Sequence, residues 1–160
     1  MTLVVARKTN RELRLCGDYC PINIHVGQMS VQIPDINASI QAFAGYKIFA
    51  ELDLTMAFHH LPQDKESQQK LAISTPYAVY MPQFLPEGIS IGTSALMQLM
   101  HSTFGDMASV TLIHDNILVA AMDEAELLSQ VKQVLHKCIE VEIQLKTTKS
   151  GFGMQELKVS

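Results

Sequence analysis

Residues 110–120 read VTLIHDNILVA, two apolar runs (110–113 and 117–120) flanking the polar pair Asp115-Asn116, with His114 just before it. A two-residue polar insertion between β-forming runs is a hairpin signal, so this stretch predicts two antiparallel strands. Immediately downstream, residues 122–140 place Leu127, Leu128, Val131, Val134, Leu135, Cys138 and Ile139 on one stripe at helical spacing. Upstream, IFAELDL (48–54) alternates, with Phe49, Glu51 and Asp53 on one face of a strand and Ala50, Leu52 and Leu54 on the other. Between them, Thr93 or Ser94 can cap a helix carrying Leu96, Leu99, Met100, Thr103 and Phe104.

The flanking segments extend the pattern. Residues 3–6 and 13–16 form a hairpin around Thr9-Asn10-Arg11-Glu12, and 71–74 and 77–81 are strands around Thr75-Pro76. Pro34 opens a short helix with Asp35, Ile36, Ile40 and Phe43, which Gly45 ends in the left-handed region. Residues 144–146 and 152–157 are weaker strands. Helices and strands alternate irregularly, which predicts an α+β fold: an antiparallel sheet with helices packed on one face.

Composition bounds the rest. A chain of 160 residues with 48% apolar and 18% charged side chains is one globular domain, not a disordered tract. Three cysteines (Cys16, Cys20, Cys138) make no disulfide framework and point to an intracellular, reducing compartment. In MTLVVARKTN the charges follow the apolar run, the wrong order for a signal peptide. The sparsely charged stretch 71–114 holds too many Pro, Gly and polar residues for a membrane span, and none is expected. The net charge of −4 is not that of a dedicated nucleic-acid binder, although Arg7, Lys8, Arg11 and Arg14 fall within eight positions.

Asp53 and Asp115 are acids among apolar neighbours at strand ends. Each alone is most often a turn or capping residue. Together on adjacent strands they could hold a hard divalent cation, which takes carboxylate oxygens at about 2.0–2.1 Å in the case of magnesium. His59-His60 points to opposite sides of any element and has no cysteine partner at zinc spacing, and His114 reads as an ordinary turn residue. Met97, Met100, Met107 and Met122 read as fillers of core gaps, and Cys16 and Cys20 as core or edge thiols.

Five segments, in order, resemble the reverse transcriptases of gypsy-type LTR retrotransposons. RKTNRELRLCGDYCPIN (7–23) resembles the fingers motif. SVQIPDINASIQAFAGYKIFAELDLTMAFHHLP (30–62) is similar to the run ending just past the first catalytic aspartate. FLPEGISIGTSALMQLM (84–100) resembles the proline-glycine loop and following helix, LIHDNILVA (112–120) the second catalytic motif, and LHKCIEVEIQLKTTKSGFG (135–153) the segment with a tail lysine. The resemblance implies a fingers–palm fold, fingers at about 1–33 and 62–90 and palm at 34–61 and 91–160, with no thumb, connection or RNase H domain. It implies metal-binding roles for Asp53, Asp115 and the Leu54 carbonyl. Phe58 would exclude a 2′-hydroxyl, Arg14 with Lys8 or Arg7 would grip a triphosphate, Gly88 would lie near the template base, and Lys149 would protonate pyrophosphate. The implied cofactor is Mg2+, with Mn2+ as a substitute.

The departures are specific. The family's second hairpin aspartate is Asn116, the hairpin aromatic is Ile113, the fingers tryptophan is Leu13, and the arginine after the Asp18-Tyr19 pair is Cys20. Two readings follow. In one, the chain is an RNA-directed DNA polymerase whose partners are a primer-template and deoxynucleotides. In the alternative, it is a non-catalytic remnant serving as a structural subunit among protein partners.

Overall fold

The computed structural model describes residues 1–7, 13–27, 41, 43–113 and 116–156. The helix expected from Pro34 lies outside the described residues, although Gly45 takes the positive φ expected of it, 100°. The chain divides into two compact units, Met1–Ser30 with Phe58–Leu96, and Val31–Ala57 with Met97–Ser160.

The second unit is built on a four-stranded antiparallel sheet. Its strands are β3 (Ile48–Asp53), β6 (Val110–Ile113), β7 (Asn116–Ala121) and β8 (Gly151–Met154), in the order β6-β7-β3-β8. The expected hairpin is present with one shift: Asn116 is the first residue of β7 and pairs with Ile113 rather than forming the turn. The alternation in 48–54 also holds. Ala50, Leu52, Ile117 and Val119 are at most 1% exposed. The helix Glu124–Glu140 packs against β3 and β7 through Leu127, Val131, Val134 and Cys138. Full burial of one such aliphatic side chain contributes about 1.5–3 kcal/mol. On the opposite face, Phe49, Ile113, Leu118 and Ala120 pack with Phe43, Tyr46 and Met154. The Phe43 ring lies 6.2 Å from both Tyr46 and Phe49.

That helix starts at Glu124 rather than at 122, because Asp123 caps it. The Asp123 carboxylate accepts from the Glu126 N–H at 2.8 Å, while Glu126 accepts from the Met122 N–H. The stripe is narrower than the periodicity suggested: Leu128, Leu135 and Ile139 are exposed. Met122 is exposed too, so it fills no core gap. Met97, Met100 and Met107 line a cavity of about 270 Å³ between the end of the helix Gly92–Phe104 and β6.

The first unit holds the hairpin β1 (Thr2–Arg7) with β2 (Leu13–Asp18), as expected. It also holds α1 (Cys20–Asn23), α2 (Lys65–Lys70) and two short paired strands, β4 (Ile73–Ser74) and β5 (Val79–Tyr80). Tyr19, Leu71, Leu85 and Ile89 form its core. α2 was not legible in the sequence, since KESQQK has no apolar stripe. Its supports are polar: Asp64 caps the Ser67 N–H at 2.9 Å, and Lys70 pairs with Glu66 one turn away. The helix α3 (Gly92–Phe104) begins before the expected cap at Thr93 or Ser94. Its first turn closes from the Ala95 N–H to the Ile91 carbonyl at 2.9 Å. Gly92 suits that start: a Cβ there would meet Phe58 Cε1 at 3.0 Å.

Candidate active site

β3 and β7 run antiparallel in a register that ends with Asp53 directly opposite Asn116. Directly paired residues share a face of the sheet, so Glu51, Asp53 and Asn116 project together beyond the Phe49–Leu118 cluster. The Asn116 side chain donates through Nδ2 to Glu51 Oε1, a diagonal cross-strand contact. This leaves Oδ1 as the amide's second polar atom.

Asp53 is held from the other side by residues 144–150. Its carbonyl accepts from the Lys146 N–H at 2.7 Å, and its N–H donates to Ser150 Oγ at 3.3 Å. Ser150 Oγ donates in turn to the Lys146 carbonyl at 3.0 Å. The Thr55 N–H donates to the Gln144 carbonyl, completing the bridge between Leu54 and Leu145. In such an antiparallel pair the bridged residues' own polar groups point away from each other. The Leu54 carbonyl is therefore turned to the side of β3 that carries β7. Lys149 Nζ lies 3.8 Å from Asp53 Oδ2, with the two side chains 62% and 20% exposed. The structure thus brings together four of the expected site residues: Asp53, Leu54, Asn116 and Lys149. It adds Glu51 and Ser150. Ser150 carried no sequence signal beyond its place next to Lys149; Glu51 was visible as a second carboxylate on the Asp53 face.

The donor chemistry here is all oxygen, namely the Asp53 and Glu51 carboxylates, the Leu54 carbonyl and the Asn116 amide oxygen. That set suits a hard cation such as Mg2+ or Mn2+. Among the described residues no three His, Cys, Asp or Glu side chains cluster closely enough to hold a metal by themselves. Asp115 lies outside the described residues.

The remaining expected site residues belong to the first unit. Phe58 follows β3 in a short 3₁₀ turn, Ala57–His60, and packs half-buried beside the Tyr19 core. Gly88 adopts φ 95°, a backbone region in which a side chain is strained. Its loop is pinned by Asn23: Nδ2 donates to the Gly88 carbonyl at 2.8 Å, and Oδ1 accepts from the Ser90 N–H at 2.9 Å. The fingers motif and the proline-glycine loop are thus joined by a side chain to which sequence reasoning gave no role. Tyr19 is buried at 2% and donates to the Leu71 carbonyl at 3.4 Å; burial pushes its phenol up. Arg7 and Arg14 stand on the β1–β2 hairpin, in the pairs Arg7–Leu13 and Ala6–Arg14. Their side chains, and all of Lys8, lie outside the described residues.

Comparison with known proteins is consistent across sequence and fold. Residues 6–160 match the family model for reverse transcriptase (RNA-dependent DNA polymerase). The chain is 29% identical over 153 residues to the Transposon Tf2-7 polyprotein of Schizosaccharomyces pombe, and 28% to the Tf2-3 polyprotein. These alignments cover 94% of this chain but 12% of each polyprotein, so the chain spans about an eighth of those relatives. Among solved structures, a prototype foamy virus protease-reverse transcriptase aligns with a TM-score of 0.86 at 19% identity, over 94% of this chain and 20% of that one. The foamy viral enzyme in complex with double-stranded DNA aligns with a TM-score of 0.85 at 18% identity, over 97% of this chain and 27% of that one. The fold is that of reverse transcriptase fingers and palm, and the chain belongs to the reverse transcriptase (RNA-dependent DNA polymerase) family.

Proposed function

We propose that this chain supplies the fingers and palm of an RNA-directed DNA polymerase, which extends a primer 3′ end with deoxynucleotides on a nucleic-acid template. The observation that carries this reading is the β3–β7 register, with Asp53 and Asn116 facing each other and Lys149 ion-paired to Asp53. Foamy viral relatives of the same fold have been solved with double-stranded DNA and with an RNA/DNA hybrid, which supports a primer-template as the partner.

Asp53, Asp115 and the Leu54 carbonyl would hold the divalent cation, Mg2+ or Mn2+, with the Asn116 amide oxygen beside them. The ion supplies charge neutralisation and Lewis-acid polarisation at the reacting phosphate. Lys149 holds a proton at Nζ for the departing pyrophosphate, a general-acid role. Arg14 with Arg7 or Lys8 binds the triphosphate by charge-assisted hydrogen bonds. The Phe58 ring excludes a 2′-hydroxyl, and Gly88, pinned by Asn23, lies near the template base. Asparagine at 116 brings a neutral oxygen where aspartate would bring a charge, so turnover is expected to be slow.

The test is Mn2+-supported incorporation of deoxynucleotides on a primed RNA template, with Asp53→Asn as the control. Incorporation abolished by Asp53→Asn supports the reading. Incorporation unaffected by that change refutes the site. No incorporation when the chain replaces the matching segment of an active relative refutes the polymerase role and favours a non-catalytic subunit with protein partners.

A further inference from the structure

Glu51 is a carboxylate on the site face that the proposed reaction does not use. It lies two residues before Asp53 on the same strand face, with Asn116 opposite Asp53 and reaching diagonally back to Glu51. Asp53 has a cation beside it, Lys149. Among the described residues Glu51 has no cation partner, and its described contact is the Asn116 amide. An amide held by its nitrogen has its oxygen turned the other way, so the Glu51 contact decides which end of Asn116 faces Asp53. An ionised acceptor makes this hydrogen bond stronger than a neutral pair would.

We infer that Glu51 is the positioning residue of this site: it fixes the Asn116 amide with Oδ1 toward Asp53, and its own carboxylate supplies the negative charge that position 116 lacks. This rests on the site reading given above. The charge and the amide form one unit, split across two strands. They should therefore be exchangeable: an amide at 51 and a carboxylate at 116 would make the same hydrogen bond in reverse and keep the same total charge. A carboxylate at both positions places two like charges within hydrogen-bond distance, and two amides remove the charge altogether.

The test is a four-member cycle in the intact chain: unaltered, Glu51→Gln, Asn116→Asp, and the double exchange. It is read by urea unfolding and by Mn2+ affinity, for example from the electron paramagnetic resonance of free Mn2+. Asn116→Asp alone is expected to lower the folded-to-unfolded ratio by about tenfold, the effect of roughly one unit of differential charge interaction. The double exchange is expected to return to within about threefold of the unaltered chain in both readouts, since the reversed bond keeps charge and contact. Glu51→Gln alone keeps an acceptor for the amide but loses the charge, so it should fold normally and bind Mn2+ about tenfold more weakly. Additive effects in the cycle, or Mn2+ affinity unchanged by Glu51→Gln while Asp53→Asn abolishes it, would overturn the inference. Mn2+ affinity unchanged by Asp53→Asn would instead overturn the underlying site reading. The two failures are therefore distinguishable.

Discussion

Ser150→Ala probes how the chain holds Asp53 without touching any proposed ligand. The hydroxyl accepts from the half-buried Asp53 N–H at 3.3 Å and donates to the Lys146 carbonyl at 3.0 Å in a more exposed setting. Truncation leaves the Asp53 N–H without that acceptor, and an orphaned buried donor costs about 1–3 kcal/mol. At 3.3 Å the bond is long, which puts the loss near the lower end of that range. The Lys146 bond is open to water and adds little. The expected cost is about 1–1.5 kcal/mol, or roughly 3–5 °C in Tm for a domain of this size. Urea unfolding and calorimetry read it directly, with Ser129→Ala, at an exposed position on the long helix, as a control expected within about 0.5 kcal/mol. Ser150→Thr, which keeps a hydroxyl, should recover most of the loss. A cost below about 0.3 kcal/mol, or no rescue by threonine, would refute the claim that the 144–150 segment clamps Asp53 through this side chain.

Further perturbations test contacts elsewhere in the chain. Gly88→Ala forces a side chain into φ 95° and should destabilise by about 1–2 kcal/mol; Asn23→Ala should do less, about 1 kcal/mol, and a double mutant short of additive in unfolding experiments would show that both act on one loop. Lys137 donates to the part-buried Thr103 carbonyl, with the exposed Asp106 carboxylate adding little, so Lys137→Met should cost about 1 kcal/mol in thermal unfolding, while a loss below about 0.3 kcal/mol would show that this tie does not matter. The thiols should separate by rate: Asp18, chiefly through its hydrogen bond, raises the Cys20 pKa, and burial pushes Cys138 up to about 11. A raised pKa means less thiolate at a given pH, so at pH 8 Cys20 should react with a disulfide reagent more slowly than an ordinary exposed thiol. Its rate should climb with pH beyond the usual thiol range, and Asp18→Asn should accelerate it. Cys138 should react only on unfolding, and its modification in the folded chain would contradict its packing.

The antiparallel sheet was legible because its two decisive segments carry period-two and hairpin patterns that burial then enforces. A one-residue slip of β3 would move Ala50 and Leu52 from the covered face to the site face. Two contacts that shape the site region were illegible for one reason: polar side chains act there over long sequence separations. Asn23 pins Gly88 across 65 residues, and Ser150 reaches Asp53 across 97. No local periodicity encodes either contact. The start of β7 at Asn116 was missed because an asparagine beside an aspartate reads as turn chemistry, whereas here cross-strand pairing with Asp53 and the bond to Glu51 draw it into the strand. The long helix exposes three of its seven stripe residues because Leu128, Leu135 and Ile139 each stand one position, about 100°, round from the seam of Leu127, Val131, Val134 and Cys138.

We propose the strand end at Asp53 as a divalent-cation site. The most direct test is Mn2+ titration of the folded chain beside Asp53→Asn and Asp115→Asn, each first shown to be folded. Saturable binding by the unaltered chain, lost in both variants, is expected. Binding of equal strength in all three proteins, or in none, would contradict it.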